Sequence, residues 1–319
     1  MAKRSQAHAG SLQYWPRKRA EHFLHSVNWQ AVQKTDSEKK LLGFIVYKVG
    51  MATAVAKDNT PDSMTKDKRI AVPVTILEAP PVKILSVRFY KYNQVIGESF
   101  AENLDKELKR VIKMPKKSSK KIEEFNDYDD IKVLVYSLAK QTGIKKTPDI
   151  SEIGLGGTKE EKLAFVKENM NKELRISDIF KPMQLVDARG LTIGKGLVGP
   201  MKRFGIGKKS HKSEKGVRRP GSLSPWHPAY VTFRTPMAGQ LGLFSRIAYN
   251  LKVMSMGKIQ EKNINPASGF HKFGTIRSDY IIVRGSVQGP QKRQILLTAP
   301  LRKTKKQEKK NLEFIKLVQ

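Results

Sequence analysis

LLGFIVYKVGM (41–51), AVPVTILEA (71–79) and KILSVRFYKY (83–92) decide the fold class. Each run is rich in β-branched and aromatic residues, which suit a pleated, half-buried surface. Gly43 and Gly50 punctuate the first run, and Pro80-Pro81 separates the second from the third. Proline has no N–H to give a sheet ladder, so the pair marks a break between strands. These features predict β-structure with short connections. Strand patterns resume at MQLVDARGLTI (183–193), PAYVTFRT (228–235), SDYIIVRGSV (278–287) and RQILLTA (293–299).

Between these runs the pattern changes. Ser99 and Glu102 have the spacing of a capping box. Phe100, Leu104, Leu108 and Val111 then recur on one helical face, and Pro115 closes the segment. DIKVLVYSLA (130–139) has the pattern of a buried strand. Thr158 and Glu161 repeat the capping-box spacing, with Leu163, Val166 and Met170 on one face. Residues 93–182 are therefore expected to form an α/β insertion in a discontinuous β domain made of 41–92 and 183–300. Residues 1–40 show no packed element and are expected to be a basic extension. Residues 301–319, opening LRKTKKQEKK, are expected to be a basic tail.

The chain has 319 residues, enough for one large domain or two smaller ones. A hydrophobic content of 39% argues against wholesale disorder. Lys and Arg number 61 against 29 Asp and Glu, a net charge of +32. Such a surplus repels itself in a compact state, so it implies a polyanionic partner, with nucleic acid first. No cysteine is present, which excludes disulfides, thiolate metal sites and a cysteine nucleophile. No apolar stretch reaches the length of a membrane span, and MAKRSQAHAGS has no signal-peptide core. A soluble, cytoplasmic protein is expected.

Residues 194–225 carry nine cations against one acid, Glu214. Glycines and prolines from Gly194 to Pro220 interrupt any helical or strand period. A long irregular loop inside a compact domain is uncommon and usually functional or disordered. SLSPWHPAY (222–230) follows, with Trp226 between Pro225 and Pro228. An indole in so rigid and nonperiodic a turn suits a stacking or wedging tip, although a core anchor is the alternative. In SLQYWPRKRA (11–20), Tyr14 and Trp15 precede Arg17, Lys18 and Arg19. Aromatic and guanidinium groups of this kind pack on RNA, while composition alone also fits a floppy tail.

The remaining motifs are weak. GKGLVG (194–199) has dinucleotide-fingerprint spacing, but Pro200, Gly205 and Gly207 are expected to break the helix such a site needs. GLGGTKEEK (154–162) lacks the lysine and hydroxyl of a P-loop and fits a plain cap. The six histidines have no metal-ligand company, and NDYDD (126–130) fits an exposed turn better than a Mg²⁺ site. No local serine–histidine–acid spacing is seen.

Taken in order, these stretches resemble one known family. SLQYWPRKRA (11–20), LLGFIVYKVGM (41–51), PVTILEAPP (73–81), PDISEIGLGG (148–157) and GKGLVGPMKRFG (194–205) carry the resemblance. PWHPA (225–229), AGQLG (238–242), YN (249–250), INPASGF (264–270) and RGSVQGPQKR (284–293) continue it. Together they resemble the universal large-subunit ribosomal protein L-three family in its archaeal and eukaryotic form. The resemblance covers nearly the whole chain and is weakest over 93–182 and the final tail.

It implies a β-rich, α+β fold: a closed six-stranded β-barrel, similar to the second domain of translation elongation factors, with an inserted α/β domain. It also implies a basic loop over 194–228 that runs into large-subunit rRNA, with Trp226 nearest the peptidyl transferase centre, and an N-terminal extension that binds rRNA. The implied rRNA-binding residues are Tyr14, Trp15, Arg17, Lys18 and Arg19 in the extension. In and around the loop they are Lys195, Lys202, Arg203, Phe204, Lys208, Lys209, Lys212, Lys215, Arg218, Arg219, Trp226 and His227. Arg246, Lys292 and Arg293 complete the set. The implied role is structural and non-enzymatic, in the cytoplasmic ribosome. Its partners would be rRNA and neighbouring large-subunit proteins, with no cofactor, metal, membrane or small-molecule substrate.

The chain departs from the family pattern at some positions. Phe204 stands where the family often has Trp, and Ile193 where it often has Lys. Ser224 and Ser268 stand for Gly, and Leu243-Phe244 for a Tyr-His pair. The rival functions are an RNA-modifying enzyme, which would need a cofactor pocket with a perturbed acid or base, and a membrane-surface or DNA-packaging protein.

Overall fold

A computed structural model describes residues 14–36, 38–115, 121–125 and 127–318. The expectations for residues 1–13 and for the basic stretch 116–120 lie outside the described residues.

In chain order the first elements are α1 (Trp29–Gln33), β1 (Gly43–Asp58), β2 (Arg69–Ala79), β3 (Val82–Lys91) and β4 (Gln94–Phe100). Then come β5 (Asp130–Ser137), α2 (Ala139–Thr142), β6 (Ile150–Gly154), α3 (Lys159–Asn169) and β7 (Leu185–Leu191). Next are β8 (Leu197–Val198), α4 (Pro200–Phe204), β9 (Gly239–Gln240) and β10 (Ser245–Gly257). The last are β11 (Asp279–Arg284), β12 (Gln294–Thr298), α5 (Lys305–Glu308) and β13 (Leu312–Val318). The fold is β-rich and of the α+β kind. The chain divides into two compact units, one of residues 24–190 and 247–319, the other of 1–23 and 191–246.

The larger unit is organised by β1. Along one side, Tyr47 to Lys57 pair antiparallel with β2. On the other side, Gly43 to Tyr47 pair with β12, and Thr53 to Asp58 pair with β13. The resulting sheet runs β12–β7–β10–β11–β2–β1–β13, with β12 also paired to β1. Leu41, Leu42 and Phe44 to Tyr47 are fully buried without alternation, which is what a strand covered on both faces requires. A second antiparallel sheet runs β4–β3–β5–β6. Thus KILSVRFYKY pairs with β4 and β5 rather than with the two strand runs that precede it. Tyr92 and Asn93 both take positive φ, +49° and +61°, in the two-residue turn that joins β3 to β4.

Trp29 of α1 is 3% exposed and lies in the main core. A Cβ on Gly154 would lie 2.6 Å from the Trp29 Cβ, and one on Gly43 would lie 2.9 Å from its Cη2. Two glycines therefore make the slot that the indole fills. The Thr158–Glu161 capping box forms as expected: the Glu161 carboxylate accepts from Thr158 N at 2.7 Å. The helix it starts, α3, buries Val166 and lays Leu163 and Met170 against the core. The strands expected over DIKVLVYSLA, MQLVDARGLTI, SDYIIVRGSV and RQILLTA are present as β5, β7, β11 and β12.

Several expectations are corrected. No α-helix forms over 100–111: Ser99 pairs with Val87 inside β4, and only a 3₁₀ turn, Lys106–Arg110, follows. The apolar spacing there serves a small cluster of Leu85, Leu108, Tyr136 and Leu138, with Phe100 and Leu104 packed against it. Residues 228–235 form no strand, and their apolar side chains Tyr230, Val231 and Phe233 are exposed. Residues 24–36, expected to be part of an unpacked extension, carry α1 and its buried Trp29 and Val32.

The expected C-terminal tail is also ordered. Its β13 extends the large sheet, and Leu312 is buried. The reason is polar as well as apolar. The Lys252 Nζ, on β10, donates to the carbonyls of Gln307 and Glu308 at 2.9 Å each, and to that of Lys310. Asn250 Nδ2 donates to Arg302 O and Thr304 Oγ1, both at 2.9 Å.

Candidate nucleic-acid interface

The charge surplus is unevenly spread. Residues 93–182 hold 16 of the 29 acids and only 18 of the 61 basic residues, so nearly all the excess lies elsewhere. The smaller unit, 1–23 with 191–246, holds 16 basic residues against two acids.

The base of the long loop is set by backbone. Leu197 and Val198 of β8 pair with Gln240 and Gly239 of β9. Lys195 N donates to Leu241 O and Leu241 N to Gly196 O, each at 2.9 Å. Gly242, at φ +74°, lets residues 193 and 242 approach so closely that a Cβ there would lie 2.0 Å from Ile193 O. A helix does start after GKGLVG, with Pro200 in its first turn, but Gly205 in the left-handed conformation ends it after five residues. It is too short to act as a phosphate-binding helix, so the dinucleotide spacing builds a loop base instead.

Beyond α4, residues 206–238 form no helix or strand. Lys208, Lys209, Lys212, Lys215, Arg218 and Arg219 are exposed there, as are Lys195 and Lys202. Lys209 N donates to Val217 O at 3.0 Å, which closes a tight excursion and spreads the cations along it. Trp226 is 88% exposed and His227 is exposed beside it. The core-anchor alternative for Trp226 therefore fails.

In contrast to Trp226, the aromatic groups of the extension are engaged with protein. Trp15 stacks on Phe204 with centroids 6.3 Å apart, and Phe233 meets Trp15 edge-on at 5.8 Å. Arg17 Cζ lies 4.3 Å from the Phe204 centroid and 5.1 Å from that of Trp15. Arg17 Nη1 donates to Arg203 O at 3.3 Å. Burial, with the charges of Arg203 and Arg246 nearby, pushes the Arg17 guanidinium below its ordinary pKa. Arg203 Nε donates to Gln240 O and its Nη1 to Met237 O, both at 3.0 Å. Arg246 Cζ lies 4.0 Å from the Tyr14 ring centroid. Lys18 and Arg19 are exposed.

Lys292 and Arg293 belong to the larger unit. Lys292 is exposed, at φ +65°, and its N–H donates to Lys48 O at 2.7 Å. Arg293 is half-buried, and burial lowers its pKa. Two surface aromatic residues escaped the sequence pattern, Tyr230 and Phe233, because PAYVTFRT has strand composition. Arg234, within that run and beside the proline-framed turn, is the signal that could have marked it as surface.

The acids of NDYDD are occupied. Asp130 pairs with Lys162, Asp127 with Lys91, and Asp129 accepts from Tyr92 N at 3.0 Å. Among the described residues no group of three His, Cys, Asp or Glu could hold a metal ion. No helix among them is long and apolar enough to cross a membrane.

A β-rich chain with a glycine-interrupted, cation-rich segment that carries exposed aromatic rings has the features of a nucleic-acid-binding structural protein. The chain belongs to the ribosomal protein L3 family, whose model matches residues 1–318. It is 40% identical to the large ribosomal subunit protein uL3 of Methanocaldococcus jannaschii over 307 residues, 92% of this chain and 90% of that one. It is 38% identical to the uL3 protein of Methanococcoides burtonii over 319 residues, covering 95% and 94% of the two chains. The uL3 protein of Picrophilus torridus is 36% identical over 314 residues, covering 96% and 94%.

Proposed function

We propose that the chain is a structural, non-catalytic constituent of the large ribosomal subunit and binds large-subunit rRNA through its smaller unit. One observation carries this: an irregular segment of exposed cations ends at a tryptophan that is 88% exposed. A self-repelling surface of this kind is stabilised by phosphate, and an exposed indole stacks on bases. Lys195, Lys202, Lys208, Lys209, Lys212, Lys215, Arg218 and Arg219 run along the rRNA backbone, joined by Lys18 and Arg19 of the extension. Trp226 and His227 form the tip, at the part that approaches the peptidyl transferase centre. Tyr14, Trp15, Arg17, Arg203, Phe204 and Arg246 belong to the same rRNA-facing unit. Lys292 and Arg293 add contacts from the larger one.

In this proposal β1, β12, β7, β10, β11 and β2 close into a six-stranded barrel, supported by the β12–β1 pairing. Residues 1–40 hold the rRNA-binding extension, of which 24–36 pack into the core of the larger unit. The insertion of 93–182 is joined by β3, so the barrel domain of 41–92 and 183–300 takes only β1 and β2 from its first part. The near-neutral charge of the insertion supports a role away from phosphate, toward solvent or neighbouring large-subunit proteins.

The test is the salt dependence of binding to a transcribed large-subunit rRNA fragment. The logarithm of affinity should fall against the logarithm of salt by roughly 0.7–0.9 per phosphate contact. The double variant Lys208→Ala, Lys209→Ala should lower that slope by about one to two contacts' worth. A flat response in the parent protein would overturn the proposal.

A further inference from the structure

We infer that Trp15, Arg17, Arg203 and Phe204 form a clasp internal to the protein, in which Arg17 is a positioning residue rather than a phosphate ligand. The inference rests on the rRNA-binding function proposed above and divides its residues by task. Exposed lysines and arginines of the loop meet phosphate. The clasp holds residues 14–20 on the loop base before RNA arrives.

The geometry of the ring stack supports this division. Phe204 is 7% exposed, in a segment whose other side chains are mostly open to water. Its ring is covered by Trp15 at 6.3 Å and by the Arg17 guanidinium at 4.3 Å. A guanidinium lying on an aromatic face has one side taken up. The Arg17 Nη1 is also committed, to Arg203 O. Arg203 passes the restraint on, because its Nε and Nη1 hold the carbonyls of Gln240 and Met237 across the loop base. The extension is tied a second time by Ala20 N, which donates to Leu243 O at 3.0 Å. Together these contacts tie residues 14–20 to the loop base at Trp15, Arg17 and Ala20, while Lys18 and Arg19 stay exposed. Holding the arm in advance lowers the ordering entropy of binding RNA.

Lysine cannot replace arginine at such a site, because it keeps the charge but loses the planar stack and the fork of donors. The test uses the full-length protein and two readouts. Hydrogen exchange of the RNA-free protein reports the clasp. The salt slope of binding to the rRNA fragment reports phosphate contacts. For Arg17→Lys we expect the hydrogen-bonded amides of Lys18, Ala20, Arg203 and Gly205 to exchange at least tenfold faster, with β1 and β2 amides unchanged and the salt slope unchanged. Phe204→Leu removes no charge and should give the same acceleration.

Parent-like exchange in Arg17→Lys overturns the clasp. So does an Arg17→Met variant that loses the roughly 0.7–0.9 slope of one phosphate contact while its arm amides stay protected. A flat salt response in the parent protein refutes the rRNA-binding proposal instead. The exchange experiment needs no RNA, so the two failures are distinguishable.

Discussion

Trp226→Ala separates a recognition role from a folding role when set beside Trp29→Ala. Trp226 is 88% exposed, so its removal uncovers no cavity and leaves no buried partner behind. Surface substitutions of this kind change stability by about 0.5 kcal/mol or less. Trp29 is 3% exposed and fills a slot between Gly43 and Gly154. Its loss costs about 3–5 kcal/mol of folding stability. At about 2 °C per kcal/mol for a chain of this size, that lowers Tm by roughly 6–10 °C. On RNA the order reverses. Loss of base–aromatic stacking at Trp226 costs about 1–3 kcal/mol, a fall in affinity of about 5- to 150-fold. The assays are thermal unfolding of the RNA-free variants and binding to the rRNA fragment at one fixed salt concentration. The expected result is a parent-like Tm with weakened binding for Trp226→Ala. If Trp226→Ala lowered Tm as far as Trp29→Ala while binding rRNA normally, the tip role would be refuted.

Two further outcomes follow from buried polar groups in the larger unit. Lys252→Met leaves the carbonyls of Gln307, Glu308 and Lys310 without their common donor. It should cost about 1–3 kcal/mol and open residues 303–318 to limited proteolysis, whereas an intact C-terminus would count against the anchor. Glu78 is fully buried, and burial pushes its carboxyl pKa up, partly offset by hydrogen bonds from Arg277 N and Ser278 N. A raised folded-state pKa means that the native state holds the proton more tightly than the unfolded chain. That contribution is fully present below the ordinary carboxylate value and is lost as pH rises through the raised one. Stability of the parent relative to Glu78→Gln should therefore decline with rising pH across that window. A difference that grows with pH, in urea unfolding at several pH values, would reverse the assignment.

Much of the β-structure was legible locally. LLGFIVYKVGM, AVPVTILEA and DIKVLVYSLA are long enough and apolar enough that strand is the economical state, and Thr158 with Glu161 announces α3 through a backbone hydrogen-bond pattern that needs no distant partner. Residues 100–111 misled because Leu104 and Leu108 have helical spacing, yet Ser99 and Phe100 are already pinned in a hairpin to β3. Pairing across a two-residue turn outweighed helical periodicity. PAYVTFRT misled in the opposite sense, since strand composition without a partner strand leaves its side chains exposed. The half-buried strand β10 was missed because its apolar residues follow no simple alternation.

For the interface, the sequence by itself determined the chemistry. The surplus of 32 positive charges, its concentration in 194–225 and the proline-framed Trp226 are properties of composition and order, and they require a polyanion whatever the fold. Only the tertiary structure decided which aromatic and basic groups are available. Trp15, Arg17 and Phe204 have the same local appearance as Trp226 and Arg218, but residues 186 or more apart meet in the clasp, while Trp226 meets water. The physical reason is that charge and ring identity are carried by single residues, whereas burial depends on which distant segments share a surface. The C-terminal segment shows the same rule. LRKTKKQEKK has the composition of a free tail, and it is ordered because Lys252, more than fifty residues earlier, supplies the donors its carbonyls need.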